Sequence, residues 1–125
     1  AVEELHDLGE GVEIFVGARR DPAFGPVVAV GAGGLLAEVL DDVALALAPV
    51  DAAAAVRLIA GLRVARALAG YRRRPPLAVD ALAAAVAAVS RAICARPEVA
   101  TVELNPLLVT ARGATALDCH WENAS

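Results

Sequence analysis

The sequence predicts an α+β domain, in which a mostly antiparallel sheet carries its helices on one face. Three observations predict this class. Apolar and polar residues alternate near the amino end, short turn signals separate the apolar runs, and a three- and four-residue period replaces the alternation later in the chain. Two further short apolar runs close the sequence. Because the connections between the early runs are short, their strands should pair antiparallel.

Alternation predicts strands in the first part of the chain. In the first run Val12, Ile14 and Val16 share one face, because side chains two residues apart on a strand project together. Glu13 and Phe15 share the other face. Asp-Pro and Gly-Pro pairs separate this run from the next and are turn signals. The predicted strands are 11–20, 26–31, 35–40 and 43–48.

The helical block should begin at Asp51, whose side chain suits an N-cap for a helix over 52–60. A shorter helical piece over 62–69 should end at Gly70, as a glycine after the last turn would end it. The clearest helix stops before Pro97 and has one apolar stripe with spacings of three and four residues. That stripe consists of Val79, Leu82, Val86, Val89 and Ile93.

Oxygen-bearing side chains interrupt the closing hairpin. Glu103 and Asn105 project to one face of its first strand, and a two-residue Arg-Gly turn would place Asp118 opposite Leu107 on the same face. Carboxylate and amide oxygens are the ligands that Mg²⁺ prefers. From the residues alone, this hairpin is either a metal-binding face or an exposed face whose polar residues are simply solvated.

Composition excludes several classes of partner. Hydrophobic residues make up 58% of the chain and aromatic residues only 3%, so Ala, Val and Leu must build the core. The net charge of −4 and the lack of a basic stripe disfavour nucleic acid. No uncharged apolar run reaches the ~18–20 residues that cross a bilayer. The acidic start lacks a signal peptide, and Cys94 and Cys119 should be reduced, buried thiols, so we expect a cytoplasmic protein.

The chain contains no Met, and its first residues already resemble the inside of a strand. We therefore expect one domain, residues 1–125, that is a piece of a larger protein. Leu and Val side chains that would otherwise face neighbouring domains make a homodimer of the isolated piece an expectation.

Seven segments carry a resemblance to a known family. They are GVE, RDPAFGPVV, GAGG, AEVLDD, AP, AGYRRRPPLAVDALAAAVAAVS and VELNPLLV. In this order they resemble the ATP-grasp region of NDP-forming acyl-CoA synthetases. ADP-forming acetyl-CoA synthetase belongs to that family, and succinyl-CoA ligase β chains are more distant relatives. The likeness runs from about Val2 to about Asp118, although Arg73 stands where a Gly is usual, and it implies the carboxyl-terminal lobe of an ATP-grasp fold.

The resemblance implies ATP or GTP binding together with Mg²⁺. The backbone of the VEEL stretch would contact adenine and Glu13 would approach the ribose. The GAGG glycines would either let the backbone approach phosphate or make a tight strand connection. Arg20 would either contact phosphate or pair with a surface acid such as Asp21. The implied nucleotide contacts are Glu3, Glu4, Leu5 and Glu13, and the implied metal ligands are Glu103, Asn105 and Asp118.

The implied activity is phosphoryl transfer coupled to formation or cleavage of an acid:CoA thioester. The sequence has no lysine, and the family's glycine-rich lobe would precede residue 1, so the isolated chain should not catalyse the whole reaction. Its expected partners are a nucleotide and the CoA-binding and ligase domains of the parent protein. Neither His6 nor His120 stands in the family's phosphohistidine motif. Two alternatives are a regulatory module of a protein lysine acetyltransferase and an assembly domain without a ligand.

Overall fold

The computed structural model describes residues 11–33, 41–70 and 75–124. The predicted strand over 35–40 therefore lies outside the described residues. The strands are β1 (Val12–Asp21), β2 (Gly25–Ala32), β3 (Val43–Leu47), β4 (Val99–Val109), β5 (Ala114–Ala116) and β6 (Cys119–Asn123). The helices are α1 (Ala52–Ala60), α2 (Ala65–Leu68) and α3 (Val79–Ala95).

All six strands join one sheet, and every described pair is antiparallel, as predicted. The order is β3-β2-β1-β4-β5, and β6 pairs with β4 further along the same edge as β5. The longest helix, α3, packs across β1, β2 and β4. The predicted architecture, a sheet with helices on one face, is confirmed.

The predicted alternation of β1 is confirmed. Ile14 and Val16 are fully buried beneath the helices, together with Val28 and Val30 of β2. The apolar stripe of α3 meets this face, and its members from Leu82 onward are buried. Among the described residues, the largest fully buried apolar side chains are Ile, Leu and Val, with no aromatic ring, as the composition predicts.

The N-cap of α1 is confirmed, because the Asp51 carboxylate accepts a hydrogen bond from the Ala54 N–H at 2.7 Å. The second helix is shorter than the predicted piece over 62–69. The chain closes i→i−3 hydrogen bonds after Gly61, and these tight turns delay the start of α2 until residue 65. Gly70 then adopts φ +94°, as expected for a residue that ends a helix.

Arg20 has a structural role that differs from both predicted roles. Its guanidinium reaches the end of α3 and the start of β4, where main-chain oxygens lack helical partners. The ion pair with Asp21 is made by the neighbouring Arg19, at 3.6 Å. The carbonyl oxygens that accept from Arg20 are those of Ile93, of Arg96 at 2.8 Å and of Val99 at 2.8 Å.

The cysteines and the hydropathy of the helices bear on two predictions from composition. The prediction of two buried thiols is wrong for Cys119, which is exposed on β6, while Cys94 is half-buried; both are free. In the part of the chain that the structure describes, no helix is long and apolar enough to cross a bilayer.

We predict that Arg20→Met lowers the free energy of unfolding by about 2–3 kcal/mol, because it leaves several carbonyl oxygens without their charged donor. Urea unfolding measures the loss. Arg19→Met is the matched control, since Arg19 is mostly exposed and its ion pair is at the surface. That variant should stay within about 0.5 kcal/mol of the parent. Equal losses in the two variants would contradict the assigned role of Arg20.

The β1–β2 turn should respond to acid. The N–H groups of Ala23 and Phe24 donate to the Asp21 carboxylate at 2.8 and 3.0 Å and hold the pKa of that carboxyl below its usual value. Because the folded-state pKa is the lower one, this contribution to stability is complete above the unfolded pKa and is lost as the pH falls through the folded one.

We therefore predict that Asp21 titrates below an ordinary aspartate in a carboxyl NMR titration. Asp21→Asn keeps an acceptor oxygen but cannot titrate, so this part of the acid dependence should disappear in that variant. A titration at the usual aspartate value would show that the two N–H groups do not bind the carboxylate in solution.

Candidate functional site

The face of the sheet opposite the helices carries an open cleft of about 330 Å³. This face is fixed by register: Phe15 pairs with Gly31 across β1 and β2, and Gly31 pairs with Val43 across β2 and β3. A cleft of this volume suits a small-molecule ligand. It is lined by Phe15, Gly31, Ala32, Gly33, Asp41, Asp42, Val43 and Asn105.

One wall of the cleft brings main chain close to main chain. A Cβ placed on Gly31 would lie 2.3 Å from the carbonyl oxygen of Asp42, so no side chain fits there. The Ala32 N–H donates to the same oxygen at 2.9 Å, and the Gly33 N–H donates to the carbonyl oxygen of Glu13 at 2.9 Å. Two stretches, 31–33 and 41–43, are thereby held together at close range.

Phe15 is the aromatic side chain of the cleft. It is half-buried, although its neighbours along β1 face the core. The tip of its ring overlies Gly17, where a Cβ would lie 2.6 Å from the ring carbon Cζ. The ring therefore lies along β1 over Gly17, the residue that pairs with Glu103 of β4.

Asp42 was not predicted as a site residue. It is only 8% exposed, and its two carboxylate oxygens accept the N–H groups of Arg63 and Val64, each at 2.7 Å. In the sequence it lies between the predicted strands over 35–40 and 43–48, where a turn is expected. No local pattern could reveal its role, because its partners lie more than 20 residues away.

Asn105 lies beside an irregularity in β4. Ile14 pairs with Leu107 and Val16 with Leu104, so one step of two residues on β1 faces a step of three on β4. Both leucines pack against the core despite their odd spacing. The extra residue returns Leu107 to the core, while Asn105 is exposed and lines the cleft on the opposite face; bulges are common beside functional sites.

The predicted register of the closing hairpin is wrong by two residues: Leu107 pairs with Ala116, not with Asp118. The turn lies one residue earlier than predicted, because the Thr110 N–H donates to the Gly113 carbonyl oxygen at 2.8 Å. The Thr110 hydroxyl also accepts from the Arg112 N–H at 3.1 Å, which fixes this turn.

The corrected register brings Asp118 directly opposite Asn105. The Asn105 N–H donates to the Asp118 carbonyl oxygen at 3.1 Å, and the Leu117 N–H donates to the Pro106 oxygen at 2.9 Å. Asp118 lies in the break between β5 and β6, so the break faces the irregularity in β4. Neither the Asn105 carboxamide nor the Asp118 carboxylate forms a hydrogen bond within the described part of the chain.

The other predicted site residues are dispersed. Glu103 is half-buried and pairs with Gly17 on one side and His120 on the other, one row beyond the cleft. The His120 ring contacts the Glu122 carboxylate at 3.2 Å. Glu13 is half-buried on the cleft side of β1. Glu3, Glu4 and Leu5 lie outside the described residues.

A family model gives the class of protein. The model of the ATP-grasp domain matches residues 1–122, so the chain belongs to the ATP-grasp domain family. The fold predicted from the sequence, with its likeness to the ATP-grasp region of ADP-forming acetyl-CoA synthetases, is confirmed.

Two curated proteins resemble this chain closely in sequence. The chain is 42% identical over 110 residues to a trans-feruloyl-CoA synthase of an unknown prokaryotic organism, covering 86% of this chain and 16% of that protein. It is 37% identical over 117 residues to the ADP-forming acetate–CoA ligase I of Archaeoglobus fulgidus, covering 94% and 17%. The chain therefore spans less than a fifth of these two relatives.

A solved structure agrees along nearly the whole chain. Dinucleotide-forming acetyl-coenzyme A synthetase 1 of Candidatus Korarchaeum cryptofilum, in complex with coenzyme A and Mg-AMPPCP, matches with a TM-score of 0.86 and 27% identity. The match covers 99% of this chain and 65% of that one.

We predict that Gly31→Ala destabilises the fold by about 1–3 kcal/mol, because the added methyl group must displace the main chain at Asp42. Thermal or urea unfolding measures the effect. Gly113→Ala is the matched control, since a Cβ there meets nothing within 4 Å. A Gly31→Ala variant as stable as the control would mean that the two main-chain stretches are not in close contact.

Proposed function

We propose that this chain is the nucleotide- and Mg²⁺-binding lobe of an NDP-forming acyl-CoA synthetase. The observation that carries the proposal is the position of Asn105, which lines the cleft and has the backbone of Asp118 directly opposite. The named relatives are a CoA synthase and a CoA ligase, and the solved relative holds Mg-AMPPCP.

The oxygen donors suit Mg²⁺ in combination with phosphate. Among the described residues, no three His, Cys, Asp or Glu side chains come close enough to hold a metal by themselves. This fits Mg²⁺, which usually binds one or two carboxylates and takes its other ligands from waters and phosphates. In the proposal Asn105 and Asp118 provide the inner protein oxygens, and Glu103 provides a further carboxylate one row away.

The chain's own groups would bind and orient the nucleotide. In the proposal, phosphate binds at the main chain of 31–33, which lines the cleft, and Glu13 on the same face of β1 as Phe15 takes the ribose. The proposal leaves the adenine contacts to Glu3, Glu4 and Leu5. When bound, Mg²⁺ supplies positive charge that offsets the charge of the transferring phosphoryl group.

Other parts of a larger protein would complete the reaction. The sequence contains no lysine, so a phosphate-binding lysine would have to come from elsewhere. We assign CoA binding and thioester chemistry to other domains of a cytoplasmic parent protein. The relatives named above are a synthase and a ligase, which give no support to the alternative of a regulatory acetyltransferase module.

We predict that Asn105→Ala and Asp118→Ala each raise the Kd for Mg-ATP by about tenfold or more, because each removes an oxygen that costs at least ~1.4 kcal/mol to lose. Isothermal titration calorimetry on the full-length protein containing this chain measures the change. Repeating the titration in EDTA should abolish the difference between parent and variants, since both residues act through the cation.

Asn123→Ala is the matched control, because Asn123 is an exposed carboxamide on β6 that pairs with Val99 at the far end of the strand. Its Kd should match that of the parent. If the parent binds ATP equally well with and without Mg²⁺, or if the two site variants bind as the control does, the proposed metal site is wrong.

A further inference from the structure

We propose that Asp42 is a positioning residue for the nucleotide cleft: it anchors the main-chain wall of the cleft to the turn between α1 and α2. This inference rests on the function proposed above and extends it, because Asp42 touches the wall rather than the reacting atoms.

At Gly31 the wall of the cleft is main chain alone. The wall consists of the stretches 31–33 and 41–43, joined by the Ala32–Asp42 hydrogen bond of 2.9 Å and by the pairing of Gly31 with Val43. Because Gly31 has no side chain that could adjust, the position of its peptide groups contributes directly to the width of the cleft on this side.

Apolar packing holds β3 only weakly. The strand lies at one edge of the sheet, and its core-facing side chains are the two small residues Ala44 and Ala46. Its larger side chains, Val43, Leu45 and Leu47, are each more than half exposed on the other face. Burial of two methyl groups stabilises an edge strand by little, because the stabilisation scales with the apolar area removed from water.

Asp42 provides a second attachment at the start of this strand. One carboxylate oxygen accepts the Arg63 N–H and the other accepts the Val64 N–H, both at 2.7 Å. Val64 is itself buried in the core, next to the buried Leu62. The charge-assisted bonds therefore tie the cleft wall to a rigid part of the molecule.

A buried carboxylate is an expensive anchor, because burying its charge costs free energy that the hydrogen bonds must offset. An apolar residue of similar size could fill the space without that cost. What the carboxylate adds is a fixed direction and distance for the main chain, which is the property a phosphate-binding wall requires.

The test compares two aspartates that each bind main-chain N–H groups. Asp42→Ala releases the wall, whereas Asp51→Ala removes the N-cap of α1, whose side chain binds the Ala54 N–H at 2.7 Å away from the cleft. Kd for Mg-ATP is measured by calorimetry on the full-length protein, and stability by urea unfolding of the same variants.

We expect both variants to lose stability, but only Asp42→Ala to raise the Kd by about tenfold or more, because small displacements of binding groups are costly. Asp51→Ala should stay within about twofold of the parent, since exposed caps affect stability rather than remote sites. Asp42→Asn keeps one acceptor oxygen and should lie between the parent and Asp42→Ala.

Each alternative result is decisive. If the parent binds Mg-ATP and Asn105→Ala weakens binding, yet Asp42→Ala and Asp42→Asn bind as the parent does, the positioning role is wrong and the proposed function stands. If the parent does not bind Mg-ATP, the proposed function fails and this inference fails with it. If Asp42→Ala does not fold, the Kd of Asp42→Asn decides between a raised value and the parent's value.

Discussion

The candidate site depends on the extra residue in β4, where a step from Leu104 to Leu107 faces the shorter step from Ile14 to Val16. The extra residue allows both leucines to reach the core, which regular alternation would forbid. Asn105 follows Leu104 onto the opposite face and lines the cleft, and the extra residue keeps Leu107 from lying on that face as well. The break between β5 and β6 lies opposite this irregularity. The packing of the two leucines beneath the helices and the positions of Asn105 and Asp118 are therefore linked through one local change in the pairing of β4.

The two faces of the sheet are specialised by side-chain size. Branched apolar residues such as Ile14 and Val30 fill the face under the helices. On the other face, the space that a Cβ would fill at Gly17 holds the Phe15 ring, and the space at Gly31 holds the Asp42 carbonyl oxygen. The two glycines therefore allow close packing beside the cleft, while the larger side chains of β3 stay more than half exposed on this face.

Sequence pattern predicted what is local. Alternation located β1, apolar runs between turn signals located β2 and β3, the apolar stripe located α3, and Asp51 marked the start of α1, because each signal lies within a few residues of the element that it predicts. Long-range hydrogen bonds escaped prediction. Arg20 reaches carbonyl oxygens more than 70 residues away, and Asp42 binds N–H groups beyond α1. The hairpin register was missed for a smaller reason, a threonine hydroxyl that fixed the turn one residue earlier.

The polar side chains fall into two groups, and the contrast supports the division of roles. Arg20 and Asp42 direct their charges to main-chain groups and hold elements together. Asn105 and Asp118 are exposed and form no side-chain hydrogen bond within the described residues, although a main-chain hydrogen bond sets their backbones opposite each other. Exposed polar residues are common and carry little meaning alone. Here, however, the pairing of β1 with β4 loses its regular register next to Asn105, and in the proposed function a ligand that needs both oxygens would give that departure a physical reason.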